Sequence, residues 1–135
     1  MSYTDGGFRE HRLAEAAAIK TGSNHGTFQP GYQPVVIRAV AALISTALGS
    51  NDANCIFTKR DRVTGSNLSS TTMTFGSGLA AGKVVYKDQL DIELAPSQDI
   101  VVQSSGNADG AASYFVAYEP APEVPANNTD MSESA

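Results

Sequence analysis

From Asn54 to Glu119 the chain alternates between apolar and polar positions. "NCIFTK" sets Cys55 and Phe57 against Ile56 and Thr58, and "STTMTF" is β-branched and aromatic. "KVVYKD" and "QLDIEL" follow, the latter placing Leu90, Ile92 and Leu94 on one face and Asp91 and Glu93 on the other. "QDIVVQS" and "ASYFVAYE" complete the set, separated by the turn-forming "APS" and "SGNADGA". A period of two predicts strands with one face in a core and one in water. Short strands spaced by about 8–12 residues between turn signals predict an all-β fold, a sandwich or barrel.

One segment fits two periods. "PVVIRAVAALISTALG" makes a helix if Pro34 opens the first turn, Gly49 caps the end, and Val36, Val40, Leu43 and Ala47 share a face. It makes a strand if Val35, Ile37, Ala39, Ala41 and Leu43 alternate with Val36, Arg38, Val40 and Ile44, both faces then being largely apolar. The β-branched start and the six β-like segments downstream favour a strand over residues 35–48.

The flanks differ in composition. Residues 1–31 are expected to form an N-terminal arm, in which "FREHRLAEAAAIK" has the Ala, Glu and Arg content of a short helix. "TGSNHGTFQPGYQP" reads as an extended connection. The sandwich is expected over residues 32–119. Residues 120–135 form a C-terminal tail with three prolines and no base, too poor in apolar groups to order on its own.

Charge narrows the function. The net charge is −5, with seven Lys or Arg against five acids over residues 1–62 and two against nine over residues 63–135. A nucleic-acid binder needs a broad basic face to neutralise phosphates, so none is expected as partner. The knot "TKRDRV" reads as a solvated strand end. No apolar run approaches a membrane span and the N-terminus lacks the apolar stretch of a secretory signal, so no membrane association is expected. Cys55 is the only cysteine, which rules out an intrachain disulfide framework and suits a small buried hydrophobe.

Gly76, Gly78 and Ala81 match the G-x-G-x-x-G/A spacing of dinucleotide loops. That site needs a helix after the glycines to present free amides, and "KVVYKD" forms none, so a plain turn is expected. His11 and His25 stand fourteen residues apart without metal-ligand spacing, and the sandwich region holds no histidine, which argues against a cupin-type metal enzyme. No serine lies in a G-x-S-x-G elbow, and the Asp91 and Glu93 pair lacks an aromatic platform for sugar chemistry. No catalytic residue, metal or cofactor is expected, and the chain is read as a non-enzyme. The sequons at Asn67 and Asn127 carry little meaning without a secretory signal.

The stretches "VIRAVAALISTAL", "CIFTKRD", "FGSGLAAGKVVYKD" and "LAPSQDIVVQSSGNADGAASYFVAYEP" resemble the small decoration, or cement, proteins of tailed bacteriophage heads over about residues 35–120. Ser97 stands where many such turns carry Gly. The resemblance implies a jelly-roll β-sandwich bound to the outside of an icosahedral capsid, made in the host cytoplasm and located on the virion surface, without enzymatic activity. Its partners would be the major capsid protein and further copies of itself, as a dimer or trimer. Phe8, Leu13, Ile19, Phe28 and Tyr32 are the large apolar groups of the arm region and the candidate partner-binding anchors, unless they fold back on the chain's own sandwich. The apolar face of Val35–Ile44 is a candidate contact between copies. The alternative reading is a carbohydrate-binding or receptor-binding sandwich of a virion, which predicts an exposed cluster drawn from Tyr86, Tyr114 and Tyr118.

Overall fold

A computed structural model describes residues 9–19, 24–106 and 109–121. The described residues form nine strands: β1 (Arg9–Ala18), β2 (Asn24–Phe28), β3 (Val35–Thr46), β4 (Ala53–Asp61), β5 (Asn67–Phe75), β6 (Val84–Lys87), β7 (Ile92–Leu94), β8 (Gln98–Ser105) and β9 (Ala111–Pro120). One sheet runs β1-β9-β3-β6, with β7 also on β3, and the other runs β2-β8-β4-β5. Every neighbouring pair is antiparallel. If β6 and β7 count as one interrupted strand, each sheet has four strands in the order of a jelly roll, with two Greek keys wrapped into a sandwich. The expected all-β, jelly-roll-like sandwich is therefore the fold.

β3 resolves the ambiguous segment as a strand. Ile37, Val40, Ala42 and Ile44 point into the core, with a register shift between Ile37 and Ala39 that changes the phase of the alternation. A helix would have left β9 without its central partner. β9 supplies Ala112, Tyr114 and Val116 to the same core. The opposite sheet contributes Cys55 and Phe57 from β4, Met73 and Phe75 from β5, and Ile100 and Val102 from β8. Leu90 and Ile92 pack against this core and Leu94 lies inside it, as their alternation predicts. Each large aliphatic or aromatic group so buried stabilises by about 1.5–3 kcal/mol relative to exposure, before ordering costs.

The expected helix over residues 8–20 is not formed. Residues 9–18 are strand β1, paired along β9 from Arg9↔Tyr118 to Ala18↔Ala111, with two register shifts and Ala16 at φ 49°. Helix propensity differences among Ala, Glu and Arg are small, and the free edge of β9 outcompetes them. The described part of the stretch expected as an arm thus gives β1 to one sheet and β2 to the other. The tail beyond residue 121 lies outside the described residues.

Gly26 shows how closely β1 and β2 approach across the two sheets. A Cβ at that position would lie 2.1 Å from the Leu13 carbonyl oxygen and 2.8 Å from its carbon, both backbone atoms that cannot rotate away. Gly26→Ala is expected to force β1 outward and to cost about 1–3 kcal/mol or more, as overpacking does. Urea denaturation of the variant beside the wild type measures it. A neutral result would show that the two strands separate freely.

Candidate functional site

The five candidate anchors are placed very differently. Ile19 and Phe28 are buried in the chain's own core, and Leu13 packs half-buried against it. The Phe28 ring meets Tyr118 at 4.7 Å and His11 at 5.2 Å. Tyr32 is fully exposed and lines a surface depression of about 460 Å³ with Arg9, Gly31, Gln33, Val35, Tyr118 and Pro120. Phe8 lies outside the described residues. Among the described anchors, only Tyr32 presents its whole side chain to solvent.

The glycine-rich segment is a turn. Gly78 and Gly82 adopt φ of 74° and 89°, which their lack of Cβ permits. The Gly78 and Gly82 amides donate to the carbonyls of Gly49 and Ile44 at 2.8 and 2.7 Å, so these amides hold backbone and not phosphate. Both histidines face the seam between the sheets. The His25 ring stacks on Tyr114 with centroids 5.2 Å apart and 9° between planes, and its Nε2 lies 2.8 Å from the Ser104 hydroxyl. Among the described residues no three His, Cys, Asp or Glu side chains group as a metal site. Burial pushes the Cys55 thiol well above the usual range, which keeps it protonated and poorly nucleophilic.

The three tyrosines of the sugar-binding reading do not form one cluster. Tyr114 is fully buried, Tyr118 packs on Phe28 at the core margin, and Tyr86 is 64% exposed on the outer face of the other edge. The Tyr114 hydroxyl has no hydrogen-bond partner, and burial, then the neighbouring Cys55, pushes its pKa up.

The basic knot is more than a solvated strand end. Arg60 donates from Nε at 3.2 Å and from a terminal nitrogen at 3.0 Å to the two oxygens of Asp99, which is only 1% exposed. The bonds to Asp99 raise the Arg60 pKa. Arg62 donates to the Pro96 carbonyl at 2.9 Å. Together with Gln29 and Val63 these side chains line a second open depression of about 460 Å³. Asp99 consumes the Arg60 fork, whereas Arg62, bound to a neutral carbonyl, brings its positive charge to the depression. Asp91 is likewise engaged: Arg38 binds it at 3.0 Å and also bonds Glu119, the bond that chiefly raises the Arg38 pKa.

An apolar stretch of surface lies on the outer face of the β1-β9-β3-β6 sheet. Residues 39, 41 and 43 of β3 alternate with the core positions 40, 42 and 44 and so face outward. Cross-strand pairing places Phe115 and Tyr86 on either side of Ala41, Ser113 and Val84 beside Leu43, and Ala117 beside Ala39. Leu43, Val84 and Tyr86 are all exposed. Charge flanks this stretch on two sides: Glu10 and Arg12 on β1 pair with Ala117 and Phe115, and Arg38 with Asp91 and Glu119 lies beyond Ala39. Sequence reasoning located the Val35–Ile44 face but not Val84, Tyr86 and Phe115, because their alignment depends on register.

Comparison with known proteins adds little detail. No family model matches the chain, and no curated protein does. A structure of infectious bursal disease virus, Gx strain, is similar at 13% identity and a TM-score of 0.44, covering 87% of this chain. This chain spans 33% of the length of that one. The coat protein of Tobacco streak virus, solved as a dimer, is similar at 14% identity and a TM-score of 0.37, covering 91% of this chain and 93% of that one. The jelly-roll assignment rests on the strand order above.

His25 links this seam to pH. Burial lowers its pKa from the ordinary 6.5, so below that value the unfolded chain binds more protons than the folded one. His25 therefore costs no stability above about pH 6.5 and subtracts from it as pH falls toward the folded-state pKa. The urea midpoint is expected to fall between about pH 7 and 5, and to fall less in His25→Phe, which keeps a ring against Tyr114 without titrating. Equal slopes would contradict this role. Arg60→Ala, which strands the buried Asp99 carboxylate, is expected to cost near the lower end of about 3–5 kcal/mol because the guanidinium was partly solvated.

Proposed function

We propose that this protein is a structural subunit of a virion, a decoration protein that binds the outside of an icosahedral phage head and stabilises it. The observation that carries the reading is the uncharged stretch of outer face built from Ala39, Ala41, Leu43, Val84, Tyr86, Phe115 and Ala117. A contiguous apolar patch of this kind on a soluble domain marks a contact surface. The occupant is the outer surface of the major capsid protein, a partner that presents the same patch many times on one lattice. The jelly-roll order, an architecture used by viral capsid proteins and by lectins and cupins, is compatible with that role. The sequence resemblance over about residues 35–120 points the same way.

The mechanism is linkage. A ligand that binds only assembled shell shifts the assembly equilibrium toward shell by its binding free energy. Phe115 and Tyr86 supply aromatic area at the centre of the face, and the Glu10 and Arg12 rim sets orientation more than affinity. Contacts across several capsid subunits then add as avidity. Tyr32 remains available at the end of the sandwich for a further contact.

The protein is expected to co-sediment with assembled heads and not with free capsid subunits. Phe115→Asp puts a charge at the centre of the face and is expected to weaken head binding by about tenfold to a hundredfold, the equivalent of about 1.4–2.8 kcal/mol, with its thermal unfolding little changed. Wild-type binding to heads unaffected by Phe115→Asp would reject this face as the contact, and absence of head binding altogether would reject the function.

A further inference from the structure

The two sheets have four edges, and three are protected against pairing with another chain. β1 carries Arg9, Glu10, Arg12 and Glu15 and is broken by two register shifts. β2 is five residues long, carries a register shift and lies under the Leu13 backbone at Gly26. The β6 and β7 edge is split into strands of four and three residues, separated by a stretch with Asp88, Asp91 and Gln89 at φ 57°. These are the usual devices that blunt an edge: charge, shortness, irregularity and cover.

β5 has almost none of them. It spans nine residues and ends its sheet, pairing only with β4. From Gly65 to Gly82 the sequence holds no charged residue and no proline. Its register shift falls at Leu68 beside the hairpin turn, leaving Ser69–Phe75 regular. Ser69, Ser70, Thr72 and Thr74 are exposed. One cation approaches: Lys87 reaches over from β6 and donates to the Thr72 carbonyl at a long 3.3 Å. That bond also shows that the Thr72 carbonyl faces away from β4. Since N–H and C=O of one strand residue point the same way and alternate residues point oppositely, Ser70 and Thr74 also offer free groups at this edge.

We propose that β5 is a homodimer interface, in which the β5 strands of two copies pair antiparallel and join the two β2-β8-β4-β5 sheets into one. The occupant is a second copy because the strand is complementary to itself. Centred on Thr72, the pairing sets Thr72 against Thr72 and Ser70 against Thr74, hydroxyl pairs that favour a sheet, opposes no like charges within β5 itself, and requires the Lys87 of each copy to give up its long bond to the Thr72 carbonyl. A closed antiparallel pair requires a two-fold axis normal to the sheet, as in isologous dimers. That axis keeps both β1-β9-β3-β6 sheets on the same side, so their apolar outer faces point the same way. Pairing alone stands apart from the capsid reading. The consequence that a dimer presents two faces at once to one shell rests on that reading.

Light scattering of the full chain tests the pairing. The wild type is expected at twice the 14.1 kDa chain mass. Thr72→Lys, which brings two ammonium groups together at the axis, and Ser70→Pro, which removes an outward N–H at an exposed edge, are each expected to halve that mass while the circular dichroism stays unchanged. Phe115→Asp is expected to remain dimeric. A monomeric wild type, or a Thr72→Lys variant that folds and stays dimeric, would overturn the proposal. If Ser70→Pro fails to fold, Thr72→Lys alone decides. A wild-type dimer that ignores phage heads would leave the pairing in place and overturn the capsid reading instead, whereas a head-binding monomer would do the reverse.

Discussion

The β3–β9 ladder is the interaction on which the rest depends. It joins residues 35–46 to residues 111–120, segments brought together only when the intervening strands have wrapped around the core. Its inner positions, Ile37, Val40, Ala42 and Ile44 with Ala112, Tyr114 and Val116, form one wall of the interior. Its outer positions, Ala39, Ala41 and Leu43 with Phe115 and Ala117, form the centre of the uncharged face. One ladder therefore sets both the stability of the sandwich and the surface it presents. Such long-range antiparallel pairing is closed late and at an entropic cost, which the apolar inner face must offset.

Apart from the unpartnered Tyr114 hydroxyl, several polar groups in the interior and at the ends are occupied by structural tasks. Arg60 neutralises buried Asp99, Arg38 gathers Asp91 and Glu119, and His25 rests on Tyr114 beside Ser104. Groups so engaged are held by the fold. The free capacity of the described surface lies in two extended features, the apolar outer face and the uncharged β5 edge. Both suit partners that are themselves extended, proposed to be a shell on one side and another copy on the other.

Much of the fold was legible in the sequence because period-two alternation reports directly on burial in antiparallel sheets. Leu90, Ile92 and Leu94 were assigned to the core face in this way, and β4 to β9 follow the segments it marked. β1 was not legible: its Ala-rich composition favours helix locally, and only the vacancy beside β9, a tertiary fact, makes it a strand. Ile19 and Phe28 stayed open between partner anchors and the chain's own core for the same reason, since the core they fill comes from residues far along the chain. Arg60 hid its role because its partner is 39 residues away. The outer face was half visible, in Val35–Ile44, while Tyr86, Val84 and Phe115 join it only through register.

A three-dimensional image reconstruction of the purified assembly, at a resolution that separates the two sheets, tests the central claim most directly. The account predicts jelly-roll densities on the outside of the head, with the β1-β9-β3-β6 sheet turned toward the shell. Densities on the head that instead turn the β2-β8-β4-β5 sheet toward it, or heads that carry no such density, would contradict it.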